Sequence, residues 1–230
     1  MEFVNIPAGE FMMGCAPEDA ACRVGESPRH KVIISTSFQM GKFEVTQAQW
    51  TAVMGSKPNR GRSIDRPVGG VSWDDIRTFM ARMNALHDGF HYRLPTEAEW
   101  EFAASAGGET GESKPGDTAW YSANMGWGAL HPVGRKLPNA WGLHDIQGNV
   151  WEWVQDWYSS DYYSIVSSSG PAVDPQGPSS GVFRVLRGGS YCDSVKYLRI
   201  NSRFSFNPGA KIYSFGFRCV RVKLEGPVRQ

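Results

Sequence analysis

Glycine, proline and serine interrupt the second half of this chain so often that no long helix can form there. From Pro138 to Gly216, short aromatic or β-branched runs alternate with clusters of these breakers, a pattern that permits short strands and irregular loops. Nine Trp residues are numerous enough to wedge such loops together with large rings. The first half carries more regular signals. Residues 3–14 read as two short strands about a Pro-Ala-Gly turn, and residues 30–35 and 38–45 as two more. Thr46-Gln-Ala-Gln49 and Thr96-Glu-Ala-Glu99 have the form of capping boxes, predicting helices to about Met54 and through Ala104. Ser72 opens another, with Ile76, Phe79, Met80 and Met83 at helical spacing as its buried stripe. Residues 55–70 and 107–138 read as loops. With no internal repeat and no low-complexity linker, the expectation is one α+β domain over residues 1–230.

Charge excludes some partners. Lys and Arg number 24 against 23 Asp and Glu, with no basic run, so no nucleic-acid footprint is expected. No apolar stretch approaches the roughly 18 residues of a transmembrane segment. The opening residues enter a strand pattern at once, which reads as a cytoplasmic protein or as an exported or cell-surface domain whose leader has been removed. Cys15 and Cys22 lie seven apart in a polar loop. A short-loop disulfide is the leading reading; two free thiols, or a zinc site with His30, are the alternatives.

Eight blocks occur in a fixed order along the chain. They are Ile6-Pro-Ala-Gly-Glu-Phe-Met-Met-Gly14, Glu44-Val-Thr46, Pro67-Val-Gly-Gly-Val-Ser-Trp73 and Tyr92-Arg-Leu-Pro-Thr-Glu-Ala-Glu-Trp-Glu101. Then follow Asn139-Ala-Trp-Gly-Leu143, Gly148-Asn-Val-Trp-Glu-Trp153, Arg187-Gly-Gly-Ser190 and Gly216-Phe-Arg218. Together the blocks resemble the formylglycine-generating-enzyme, or sulfatase-modifying-factor, family. That resemblance implies a loop-rich C-type-lectin-like fold with few helices, often with structural calcium. The blocks also make physical sense alone. Gly188 and Gly189 allow a turn too tight for side chains, and alternation along a strand puts Trp151 and Trp153 on one side and Glu152 on the other.

In the family's oxidases, two cysteines five apart follow the Arg-Gly-Gly-Ser block, bind copper(I) and use oxygen to make formylglycine. Soft thiolates suit that ion. Here Cys192 follows the block, but Tyr197 stands five residues on, and no cysteine lies between Cys192 and Cys219. Copper chemistry is therefore not expected. Iron is not expected either, because the five His are scattered and the helical domain of the family's sulfoxide synthases has no counterpart. For calcium, the resemblance implies backbone carbonyls near Gln147, Gly148 and Val150 and the side chain of Glu152, hard oxygen ligands that suit Ca²⁺. An Arg–Glu152 ion pair is the competing reading.

The segment 191–214 departs most from the family's oxidases. It retains framework-like residues: Leu198-Arg199, Arg203 and Pro208, followed by Gly216-Phe-Arg218. Interspersed are Tyr191, Cys192, Asp193, Ser194, Tyr197, Phe204, Ser205, Phe206, Ile212, Tyr213 and Ser214. Rigid aromatic area with small hydrogen-bonding residues suits ligand binding. This layout resembles the variable proteins of diversity-generating retroelements, in which AAY codons are randomised at adenines, and all eleven residues are encodable as NNY. The expectation is a ligand-binding protein, its ligand a protein or a small molecule. A divergent oxidase or siderophore-maturation enzyme, and an accessory lipoprotein domain, remain as alternatives. On the binding reading, Tyr191, Asp193, Tyr197, Phe204, Phe206 and Tyr213 should be exposed, and Leu198, Pro208 and Phe217 buried.

Overall fold

The computed structural model describes residues 1–56, 63–108, 114–126 and 130–224. Parts of the two expected loops at 55–70 and 107–138 lie outside these. Strands β1 (Phe3–Ile6) and β2 (Gly9–Met13) flank the expected turn, followed by β3 (His30–Ile34) and β4 (Phe38–Gly41). The fourth strand stops at Gly41, short of the expected 45, because Gly41 N–H turns to the Cys219 carbonyl and Val45 N–H to that of Phe217.

Helix α1 (Gln47–Met54) begins at the Thr46–Gln49 capping box and ends at Gly55 in the left-handed region. Helix α2 (Trp73–Asn84) has its own box, Ser72 with Asp75, and buries Ile76, Phe79, Met80 and Met83. After β5 (Phe90–Arg93), α3 (Glu97–Ala104) starts from the Thr96–Glu99 box. All eight residues of α3 are buried, including three glutamates. Two short helices arise where sequence analysis expects none: α4 (Pro115–Thr118), with proline in its first turn, and α5 (Tyr162–Ser167). The remaining strands are β6 (Trp151–Trp157), β7 (Ala172–Val173), β8 (Arg184–Arg187), β9 (Arg203–Phe206), β10 (Phe215–Gly216) and β11 (Val220–Lys223).

These strands form three small sheets, ordered β1-β4-β11-β5, β10-β6-β8-β9 and β2-β3-β7. The mixed sheets, few helices and abundant irregular chain make a loop-rich α+β fold of C-type-lectin-like kind. Strand β6 lies between two hydrophobic clusters. Trp151 and Trp153 pack into one with Phe79, Phe215 and Phe217. Glu152 points the other way, where its carboxylate accepts from the Trp100 indole at 2.8 Å. The expected alternation therefore holds, but with both faces buried.

Candidate functional site: an aromatic surface on a buried ionic frame

The frame comes first. Glu97 and Glu101 lie one helical turn apart on α3 and reach two arginines on neighbouring strands. Arg203 of β9 grips Glu97 through Nε and Nη2 at 2.7 and 2.8 Å. Arg187 of β8, fully buried, pairs with Glu101 and sits 3.4 Å from Glu97. A third pair joins Glu152 to Arg218, with Nη2 2.6 Å from Oε1 and Nε 2.7 Å from Oε2. Buried charges persist only when paired and hydrogen-bonded in this way.

Glu44 completes this region. It accepts from Asn149 Nδ2 at 2.7 Å and from Val150 N–H at 3.1 Å. Burial, then the nearby carboxylates of Asp145 and Glu152, push its carboxyl well above the usual carboxylate range. Asp156 is shifted the same way by burial and by Glu97, while its Oδ2 accepts from the first N–H of α3 at 2.8 Å.

This geometry bears on the calcium expectation. Both oxygens of Glu152, 1% exposed, are taken by Arg218 and Trp100. Val150 N–H is turned to Glu44, and the Gln147 amide donates to the Leu198 carbonyl. Arg218 supplies the positive charge that the resemblance assigned to an ion. A calcium ion held by carbonyls near Gln147, Gly148 and Val150 and by Glu152 would therefore have to compete with Arg218 and Trp100 for the carboxylate.

The segment 191–214 leaves this frame through the two glycines. Both have positive φ, and a Cβ on Gly188 would come 3.0 Å from the Ile146 carbonyl, one on Gly189 3.0 Å from that of Tyr197. Beyond them, side chains gather around Trp151. Its indole N–H donates to Asp193 at 2.8 Å, and its ring lies 5.3 Å from Phe204 and 6.3 Å from Tyr197. Phe206 stacks with Phe204 at 6.2 Å and meets Phe215 edge-on at 5.5 Å.

Exposure follows the expected division only in part. Phe204 and Tyr213 are exposed, at 37% and 39%, as is Cys192. Tyr191, Ser194, Tyr197, Ser205, Phe206, Ile212 and Ser214 are half-buried. Asp193 is half-buried and turned inward: its carboxylate holds Trp151 Nε1 and the Ser190 N–H and hydroxyl, so it braces the turn. Ser214 contributes its carbonyl to Trp151 N–H, and Ile212 its carbonyl to Gly70 N–H. Leu198 and Phe217 are buried as expected, whereas Pro208 is half-buried, its carbonyl accepting from the Trp73 N–H.

Sequence reasoning missed the contribution of the first loop. Cys15 and Cys22 are disulfide-bonded. The loop they close carries Asp19, 3.3 Å from Arg199, and leads to Glu26, which is 2.6 Å from the same guanidinium. Arg23 then lies over the Tyr197 ring at 4.1 Å. The surface is thus made from two chain segments, with Arg23, Lys196 and Val195 at its margin. Of the two free thiols, Cys192 is exposed beside the Ser190 hydroxyl at 3.3 Å, and Cys219 is buried, with burial pushing it up to about 12.

Residues 1–223 match the family of the sulfatase-modifying factor enzyme 1-like domain. The chain belongs to that family. Among sulfatase-modifying-factor relatives, the formylglycine-generating enzyme of Streptomyces coelicolor is 32% identical over 94% of this chain and 88% of its own length. The serine/threonine-protein kinase pkn1 of Chlamydia pneumoniae is 35% identical over 96% of this chain, which spans only 38% of that kinase. Among solved structures, Treponema denticola variable protein 1 superposes with a TM-score of 0.81 and 29% identity, covering 95% of this chain and 94% of that one. The sulfatase-modifying-factor scaffold is therefore shared with formylglycine-generating enzymes and with a variable protein alike.

Proposed function

We propose that this protein binds a ligand through the aromatic surface of residues 191–214, as a retroelement-diversified receptor on a formylglycine-generating-enzyme-like scaffold. One observation carries the reading. Framework residues Arg187, Leu198, Arg203, Phe217 and Arg218 are locked in the interior, while Cys192, Phe204 and Tyr213 between them reach solvent. Side chains at such outward positions can change without disturbing the ionic frame, which is what a diversified surface requires. Likeness to the Treponema variable protein over nearly the whole chain supports the same reading. The ligand is a protein or a small molecule that accepts flat aromatic contact and hydroxyl hydrogen bonds.

The test is genetic. Deep sequencing of the region encoding 191–214 from an outgrown clone should show substitutions at positions where a nearby template repeat carries adenine. A uniform segment, with no template repeat in the genome, would remove the diversification and leave only a binding surface.

A second reading, a divergent copper- and oxygen-dependent oxidase, is favoured by the identity to formylglycine-generating enzymes and by the exposed Cys192. Copper(I) titration separates the two. A stoichiometric thiolate complex that disappears in Cys192→Ser supports the oxidase; weak binding unchanged by the substitution supports the receptor.

A further inference from the structure

An open cavity of about 500 Å³, lined by none of residues 191–214, lies among α2, β5, β6 and β8. Arginines dominate its polar wall. Arg77, Arg93 and Arg184 line it, and no carboxylate does among the described residues. Arg93 is neutralised by a two-pronged contact with Glu99 just behind it, at 2.6 Å through each Nη. The other two are not matched in this way. Arg77 has a single exposed ionic contact among the described residues, 3.9 Å from Asp74, and lies 5.6 Å over the Trp73 ring.

Arg184 is held unusually firmly for a cation without an anionic partner. Its guanidinium lies between two indoles, 3.8 Å from the Trp73 ring and 3.4 Å from that of Trp157. Nη1 donates to the Gln155 carbonyl, and Nε is buried with no hydrogen-bond partner. No ion pair to Arg184 occurs among the described residues. With both faces covered by rings, the guanidinium can answer a ligand only along its edge. Burial, with a smaller contribution from Arg77, lowers its pKa to about 10, although the carboxyls of Asp156 and Asp74 act in the opposite direction. Arg184 is half-buried; among the described residues the buried arginines each meet a carboxylate: Arg187 meets Glu97 and Glu101, Arg203 meets Glu97, and Arg218 meets Glu152.

We infer that this cavity is a binding site for a small organic oxyanion, with Arg184 and Arg77 receiving the anionic group and Trp73, Ile76, Met80 and Tyr92 its apolar body. A planar guanidinium fixed by stacking loses little freedom when it meets a carboxylate or phosphate edge, and its donors match that edge in pairs. The positive wall draws an anion in, and the apolar lining excludes a fully hydrated ion such as inorganic phosphate from the better part of the site. A carboxylate and a phosphate ester share this chemistry. None of residues 191–214 lines the cavity, although Arg184 pairs with Phe206 across β8 and β9 and the Trp73 N–H donates to the Pro208 carbonyl, and the inference does not depend on their reading.

Phenylacetate and phenyl phosphate are the probes, titrated by calorimetry against the intact protein, with benzylamine as the cationic counterpart of the same shape. Saturable one-to-one binding of at least one anion is expected, and the tighter of the two identifies the anionic group. Arg77→Glu, on an exposed helix position that tolerates change, should weaken it about tenfold or more, since reversing one charge of a pair repels the ligand. Arg184→Lys, which keeps the charge but loses the planar edge, should weaken it too. Tyr213→Ala, at an exposed residue that neither lines the cavity nor lies on β8 or β9, should leave this affinity unchanged, which separates the cavity from the aromatic surface. The inference is overturned if neither anion saturates, if Arg77→Glu binds as tightly as the parent, or if benzylamine competes equally.

Discussion

The ionic frame and the aromatic surface share strand β6, yet they are held by opposite means. On one face of the strand, Glu152 meets Arg218 with every polar atom assigned; on the other, Trp151 meets Phe204 and Tyr197 through ring contacts. The frame is intolerant because a buried charge that loses its partner has nowhere to go. The surface is tolerant because its outer rings already face water on one side. The contrast teaches how one domain can keep a fold and vary a face: charge is spent inside, where geometry is fixed, and aromatic area is placed outside.

The sharpest way to break the comparison is to orphan a framework charge. Glu152→Ala leaves Arg218 buried without a carboxylate and should cost about 3–5 kcal/mol, read as a fall in the urea midpoint. A loss no larger than that of a surface substitution would mean that the frame is not what holds the fold.

A pH series sharpens the same point. Glu44 and Asp156 hold their protons in the folded state at pH values where the unfolded chain has released them. The folded state then binds more protons, so stability falls as pH rises above the unfolded carboxylate range near about 4. Each such group steepens the fall by up to about 1.4 kcal/mol per pH unit until its folded value is passed. Asp156→Asn keeps an acceptor for the Glu97 N–H and should flatten the slope by one group's share. An unchanged slope in denaturation between pH 5 and about 8 would show Asp156 ionised in the interior.

On the surface side the expected effects are smaller. Tyr213→Ala should change stability by about 0.5 kcal/mol or less, and Phe204→Ala by about 1 kcal/mol because its ring also covers Trp151. If the surface binds as proposed, either substitution removes about 2 kcal/mol or more of ligand affinity once a ligand is in hand. Loss of stability comparable to that of Glu152→Ala would place these rings in the core instead.

The smallest effect expected is none. Because Arg218 occupies Glu152, adding a calcium chelator should leave the melting temperature unchanged. A drop of several degrees, abolished by Glu152→Gln, would show that an ion displaces the guanidinium in solution.

Much of this was legible beforehand where the signal was local. The Thr46 and Thr96 boxes open helices at those residues, and the Ile76, Phe79, Met80 and Met83 stripe is buried, because capping and amphipathic spacing act within a turn or two. The short α5 carries no side-chain cap, and the sequence around it looked like loop. Within 191–214, alternating residue types pointed to an outward face but could not tell Asp193, which turns in to brace Trp151, from Tyr213, which turns out.

The sequence by itself determined the family, the α+β class and the places where the backbone must turn, since these depend on blocks, caps and glycines read within a few residues. Tertiary structure alone decided what the charges do. Arg218 is 66 residues from Glu152, and Arg203 is 106 from Glu97. No local pattern can say which distant partner will reach a buried carboxylate first; that choice follows from how the sheets bring β6, β9 and the segment after β10 against α3. Whether Glu152 holds an ion or an arginine, and which aromatic rings meet water, is a consequence of that packing.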